Sequence, residues 1–165
     1  MEGINLRYAN LDDFETYKEL YWDEKDKYQW IWLGENKEVE IDEFDEYAQT
    51  EKGKKEIEEF FSNYTKIQFK KDMKKFHIFV IEQNKKVIGY ISLWRSHHEG
   101  IYSVHEWAMF NPRNKAVREK VLQKLLEVKL EDCRGFQIFT GNKQAQELLL
   151  ANNFKKRVGF VIELA

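Results

Sequence analysis

Apolar and polar positions alternate through Ile4, Asn5, Leu6, Arg7 and Tyr8, the two-residue period of a strand that buries one face. Asp12-x-x-Glu15 then reads as a capping box opening a helix that runs to Tyr21 or Trp22. Between Asp23 and about Asp72 no period holds for long, although Ile57, Phe60, Phe61 and Tyr64 fall at helical spacing. Strands return at Phe76 to Ile81 and Lys86 to Trp94, which Asn84-Lys85 joins as an antiparallel hairpin. A third run, Ile101 to Phe110, is broken by Asn111-Pro112. Val117, Val121, Leu122, Leu125, Leu126 and Val128 to Leu130 give the next helix a broad apolar face. Phe136 to Thr140 reads as a strand, and Ala145, Leu148 and Leu149 recur at i, i+3, i+4 on one helix face. Asn142 stands where an N-cap belongs, Asn153 where a helix stops in the left-handed conformation, and Phe154 to Leu164 closes the chain as a strand. The predicted order is β-α-(insert)-β-β-β-α-β-α-β, without repeats or low-complexity linkers.

Composition narrows the setting. A chain of 165 residues is one ordinary domain. Its formal net charge of -2, without a concentrated basic face, argues against nucleic acid as a partner. Cys133 is the sole cysteine, so neither an internal disulfide nor a thiolate metal cluster can form, and a reducing cytoplasm fits. Met1 to Leu20 carries Arg7, Asp12, Asp13 and Glu15 in place of an apolar leader core, and 18 apolar residues never run together. The expectation is therefore a cytoplasmic protein with no membrane partner. His97-His98 lacks a third ligand at convincing spacing, so a surface loop is expected there and no metal.

The segment from Asn142 to Phe154 reads N-x-x-A-x-x-L-L-x-x-x-N-F. It resembles the C-terminal motif of the GNAT superfamily of N-acetyltransferases, usually N-x-x-A-x-x-L-Y-x-x-x-G-F. The element order agrees with that family over nearly the whole chain, residues 23–72 resembling it least. The resemblance implies an α/β (α+β) GNAT fold over residues 1–165, with a helical insert around 23–72. Its sheet would be mixed, mostly antiparallel and of about six to seven strands flanked by helices. It also implies acetyl-CoA as co-substrate and a primary amine of a small molecule or peptide as acceptor, leaving monomer and homodimer both open.

Site residues follow from the same resemblance. The family seats the pyrophosphate of acetyl-CoA on the helix start after the fourth strand, where unpaired amides and the helix dipole favour anions. Aligning Val121-Leu122 with the family's apolar pair puts Arg113 on its R/Q, Ala116 on the first glycine and Arg118 on the second of R/Q-x-x-G-x-G/A. Aligning Leu125-Leu126 instead puts Val117, Lys120 and Leu122 there and keeps none of the motif. Arg113, Lys115, Ala116, Val117 and Arg118 are thus the pyrophosphate candidates, the cations replacing amide contacts by charge or forming a solvated face. Glu106 is the implied general base. Strict alternation groups it with Val104, Ala108 and Phe110, and groups His105 with Ser103 and Trp107, so only one of the two would face a cleft. A bulge would change that assignment. An amide near Ala108, Met109 and Phe110 would steady the oxyanion, and Asn142 would contact the pantetheine arm.

Two features modify the picture. The family's Tyr, which protonates the departing thiolate, falls on Leu149, and the loop glycines are absent. Both favour an alternative, a non-catalytic module of the same fold that binds CoA weakly or serves as an interaction surface. Glu35 to Glu51 is strongly acidic and follows Tyr28, Trp30 and Trp32. Trp30 and Trp32 are acceptor candidates, since carboxylates and aromatic faces together suit a neutral or cationic amine. The competing reading is a solvated helix with the indoles packed inward.

Overall fold

The computed structural model describes residues 3–23, 50–95, 100–110, 114–139, 143–156 and 161–164. Trp30, Trp32, most of the acidic stretch after them, His97-His98, Arg113 and Asn142 lie outside these residues.

A seven-stranded sheet organises the chain: β1 (Ile4–Tyr8), β2 (His77–Gln83), β3 (Lys86–Arg95), β4 (Ile101–Met109), β5 (Gly135–Phe139), β6 (Phe154–Lys156) and β7 (Val161–Leu164). Their spatial order is β1-β2-β3-β4-β5-β7-β6, and every pair is antiparallel except β4 with β5. The helices are α1 (Phe14–Asp23), α2 (Glu51–Ser62), α3 (Lys66–Lys75), α4 (Lys115–Leu126) and α5 (Lys143–Ala151). No helix among the described residues is long and apolar enough to cross a membrane.

The β2–β3 hairpin forms at Asn84-Lys85 as expected, both residues taking positive φ (50° and 66°), the backbone that a tight hairpin turn requires. Asn153 stops α5 at φ 68°, its amide donating to Leu150 O. Three expectations need correction. The cap before α1 is made by Asn10 and Asp13 around a single 3-10 turn, and not by Asp12 and Glu15: Asn10 Oδ1 accepts from the Asp12 amide, and Asp13 Oδ2 accepts from the Asn10 amide. Helix α4 ends at Leu126, and Val128 and Leu130 pack on the core from the connection beyond it. The C-terminal run is two strands, β6 and β7, with β7 inserted between β5 and β6.

Each sheet face carries its own apolar layer. Val117, Val121, Leu122 and Leu125 of α4, with Leu148 and Leu149 of α5, cover one face at Phe79, Ile81, Ile91, Leu93, Trp107, Met109 and Ile138. Phe14, Tyr17 and Leu20 of α1 and Phe69 of α3 cover the other at Ile78, Tyr90 and Ala108. A sheet buried on both sides explains why β2 and β3 read as nearly continuous apolar runs.

Candidate active site

The site begins with one extra residue. Ser92 pairs with Glu106 while Leu93 pairs with Val104, so a single step on β3 spans two on β4 and His105 is the inserted residue of a β-bulge. The bulge resets the alternation. Val104, Trp107 and Met109 all pack toward α4, whereas Ala108 and Phe110 lie with Tyr90 in the layer under α1 and α3. Glu106 reaches Tyr90 and His105 stacks on Phe76, both residues of that second layer. Glu106 and His105 therefore share a face, correcting the either-or of strict alternation, and Val104 does not join them.

Glu106 is buried, and Tyr90 Oη donates to its Oε2 at 3.3 Å. Further phenols lie around it. The Tyr17 ring sits 4.5 Å from Tyr90 and 6.0 Å from Tyr64, and Tyr64 Oη donates to Asp72 Oδ2. Burial, followed by the hydrogen bond and charge of Asp72, pushes the Tyr64 phenol well above its ordinary range, with the Glu106 charge acting in the same direction. Ser92, opposite Glu106 in register, is buried, and its Oγ has no hydrogen-bond partner among the described residues. His105 lies at the outer edge of this cluster: its ring stacks on Phe76 at 4.7 Å with planes 3° apart, lies 6.1 Å from Trp94, and leaves 44% of the side chain exposed. Burial holds its pKa below the ordinary histidine value; Lys75 acts in the same sense and Asp72 opposes.

The neighbouring strand parts from β4 beside this face. β4 and β5 pair only through Ile101–Gly135, Tyr102–Phe136 and Ser103–Gln137. Gln137 Nε2 donates to Ser103 Oγ at 2.6 Å, a buried bond at the last pair. Beyond it β5 continues with β7 through Ile138 and Phe139, while β4 stays with β3 through Met109. Among the described residues the β4–β5 ladder thus ends at Ser103–Gln137. Phe110 N donates to Ile88 O at 2.9 Å toward β3, so by strand alternation the Met109 amide points the other way, into the splay. Of Ala108, Met109 and Phe110, it is thus the Met109 amide that points toward the side where β5 departs. Gly89 is required opposite, since a Cβ there would lie 2.3 Å from Ala108 O.

Past Met109 the chain enters α4, whose N-cap Asn114 accepts from the Val117 amide at 3.1 Å. That bond occupies one first-turn donor and leaves the amides of Lys115 and Ala116 at the helix end. Lys115 and Ala116 are exposed there, whereas Val117 and Arg118 are buried. Arg118 is not part of a solvated face, an outcome that spacing could not decide. Leu149 is 2% exposed within the layer formed with Leu148, Phe154 and α4. No group of three or more His, Cys, Asp and Glu among the described residues could hold a metal ion.

A scan against protein-family models finds no match, and no curated protein matches by sequence. Solved structures do match. PaiA N-acetyltransferase from Thermoplasma acidophilum, in complex with coenzyme A, superposes with a TM-score of 0.61 at 14% identity, over 98% of this chain and 97% of that one. Aminoglycoside acetyltransferase AAC(6')-Ib, in complex with coenzyme A and kanamycin, gives 0.62 at 11% identity over 98% and 94%. RimL, a ribosomal-protein alpha-N-acetyltransferase in complex with coenzyme A, gives 0.57 at 13% over 99% and 92%. With the strand order, the splay after Ser103 and the bulge at His105, these likenesses show that the chain has the fold of the GNAT acetyltransferases.

Proposed function

We propose that this chain is an acetyl-CoA-dependent N-acetyltransferase acting on a primary amine of a small molecule or peptide. The observation that carries the reading is the buried Glu106 carboxylate, held by Tyr90 on the bulge where β4 parts from β5. Acetyl-CoA enters the splay with its pyrophosphate at the start of α4, near Lys115, Ala116 and Val117, with Arg113 and Arg118 adding charge. Asn142 contacts the pantetheine arm. The acceptor approaches from the α1 and α3 side, with Trp30 and Trp32 contributing to its recognition. Glu106 takes the ammonium proton, the freed nitrogen attacks the thioester carbonyl, and the Met109 amide stabilises the developing oxyanion.

The acceptor, on this reading, is neutral or cationic, as the acidic insert suggests. The likeness to enzymes whose structures hold coenzyme A supports the co-substrate. Leu149 supports the alternative of a non-catalytic CoA-binding module, because a fully packed apolar side chain stands where the family has its acid. A thiol with a pKa near about 8.5 nevertheless departs as thiolate without full protonation, and a general acid contributes about 10²–10⁴-fold, not all of the rate.

Calorimetry with acetyl-CoA followed by thiol-release assays on spermidine, kanamycin and a short peptide with a free amino terminus tests the proposal. The expected result is saturable binding and turnover of at least one amine, reduced about 10²–10⁴-fold in Glu106→Gln with acetyl-CoA affinity retained. Absence of binding at millimolar acetyl-CoA overturns the reading, and binding without turnover of any amine moves it to the non-catalytic module.

A further inference from the structure

The bulge does more than turn Glu106 toward the second face: it sets a half-exposed imidazole directly beside a buried carboxylate. His105 Nε2 lies 3.9 Å from Glu106 Oε1, while Glu106 Oε2 is occupied by the Tyr90 hydroxyl. Tyr90 and His105 thus approach different oxygens of the carboxylate. Parallel stacking on Phe76 fixes the plane of the ring, and Phe76 is itself tied to the end of α3 through its amide to Asp72 O at 2.8 Å. The inner side chain is 10% exposed and the outer one 44%. We propose that His105 is a proton relay that carries protons from Glu106 Oε1 to solvent.

The proposal rests on the transferase reading, and the proton balance of that reaction requires such an exit. An acceptor entering as an ammonium loses one proton before attack and a second as the tetrahedral adduct collapses to the amide; the thiolate recovers only one. With leucine at position 149, the chain places no phenol there to hold a proton for the sulfur, so both protons leave through the base. Each time, Glu106 Oε1 takes the proton while the N–H electron pair stays on nitrogen. The carboxyl then passes the proton to Nε2, and the imidazolium gives one to water. A small side-chain rotation or a single bridging water closes the 3.9 Å gap to hydrogen-bond length.

The electrostatic surroundings suit a relay, which must be neutral to accept. Lys75 and Asp72 face His105 from α3 and Glu106 faces it from β4, while Phe76 and Trp94 supply uncharged surfaces. Burial and Lys75, against the opposing charge of Asp72, lower the ring's pKa and so favour its neutral form.

Two measurements test the relay. In steady-state assays of whichever of the three amines turns over, His105→Ala should lower kcat about tenfold or more while KM for acetyl-CoA stays constant. Added imidazole should restore the rate in proportion to its free-base concentration. An unchanged kcat and pH profile in His105→Ala overturns the relay while leaving the transferase reading intact. The second measurement needs no turnover: NMR titration of the His105 ring in wild type and Glu106→Gln. Removing the adjacent carboxylate should lower the His105 midpoint measurably. An unmoved midpoint means that the two groups do not communicate and overturns the proposal, even where no amine is acetylated.

Discussion

Leu149 shows how a single position divides two readings that sequence leaves level. As the counterpart of a catalytic phenol it invites Leu149→Tyr as a gain of function; as a core residue it forbids the change. Its 2% exposure among Leu148, Phe154 and the α4 face decides for the core. A tyrosine there adds ring volume to a filled layer, about 1–3 kcal/mol of overpacking, and buries a hydroxyl in a layer whose described members are apolar. Leu149→Tyr should therefore lower the melting temperature, by roughly 2–4 °C per kcal/mol in a domain of this size, without raising acetyl-CoA turnover at low pH. Equal stability with faster turnover would mean that α5 shifts its packing to admit the thioester. Glu106 presents the opposite case. Its residue type and place on the strand were legible, but its company was not, because the bulge at His105 leaves no mark in a period-two pattern whose two faces are both apolar.

Among the elements, those with strong local chemistry were readable and those set by tertiary contacts were not. Asn84 announced the hairpin and Asn153 the end of α5, since each takes positive φ and asparagine tolerates it. The break between β6 and β7 is weakly signalled by Gly159 alone, so one long strand was the natural reading. The start of α1 depended on a partner outside the helix, on β1. Asp13 is drawn into the capping box by Arg7, whose Nη1 and Nη2 each donate to a different Asp13 oxygen at 2.8 Å, while Nε donates to Glu82 Oε1 at 2.8 Å. This clamp ties β1, β2 and the entry to α1. Burial alone would raise the Asp13 pKa, but the Arg7 bonds, the Asn10 amide and the Arg7 charge outweigh it, so the folded value lies below the ordinary 3.8. The clamp's stability is accordingly present above that value and lost as pH falls through the lower folded one. Arg7→Ala should cost about 1–3 kcal/mol near neutral pH, moderated because the guanidinium is a third exposed, and should flatten the acid limb of the stability curve. Urea titrations at pH 7 and pH 3 check this. A loss of equal size at both values would mean that Arg7 acts through packing alone.

At the scale of the molecule, the sheet is two blocks joined by a short seam. β1 to β4 form one block and β5, β7 and β6 the other; the seam is three residue pairs ending at Ser103 and Gln137. The wedge beyond the seam is where acetyl-CoA is proposed to lie, so its pantetheine would contribute the cross-strand contacts that the protein leaves out. Binding in that position should stabilise the whole fold and should do so most where the two blocks diverge. At a hundredfold excess over Kd the linkage is worth about 2.7 kcal/mol, roughly a 5–10 °C rise in melting temperature for a domain of this size. Hydrogen exchange should slow at the Met109 amide and at the β5 residues past Gln137, and change little at the β2–β3 hairpin. Because Lys115 sits exposed at the start of α4, Lys115→Ala and added salt should both reduce the thermal shift by weakening the pyrophosphate contact. A ligand-induced rise accompanied by protection on α1 and α3, with β4 and β5 unchanged, would put coenzyme A on the other side of the sheet and refute the wedge.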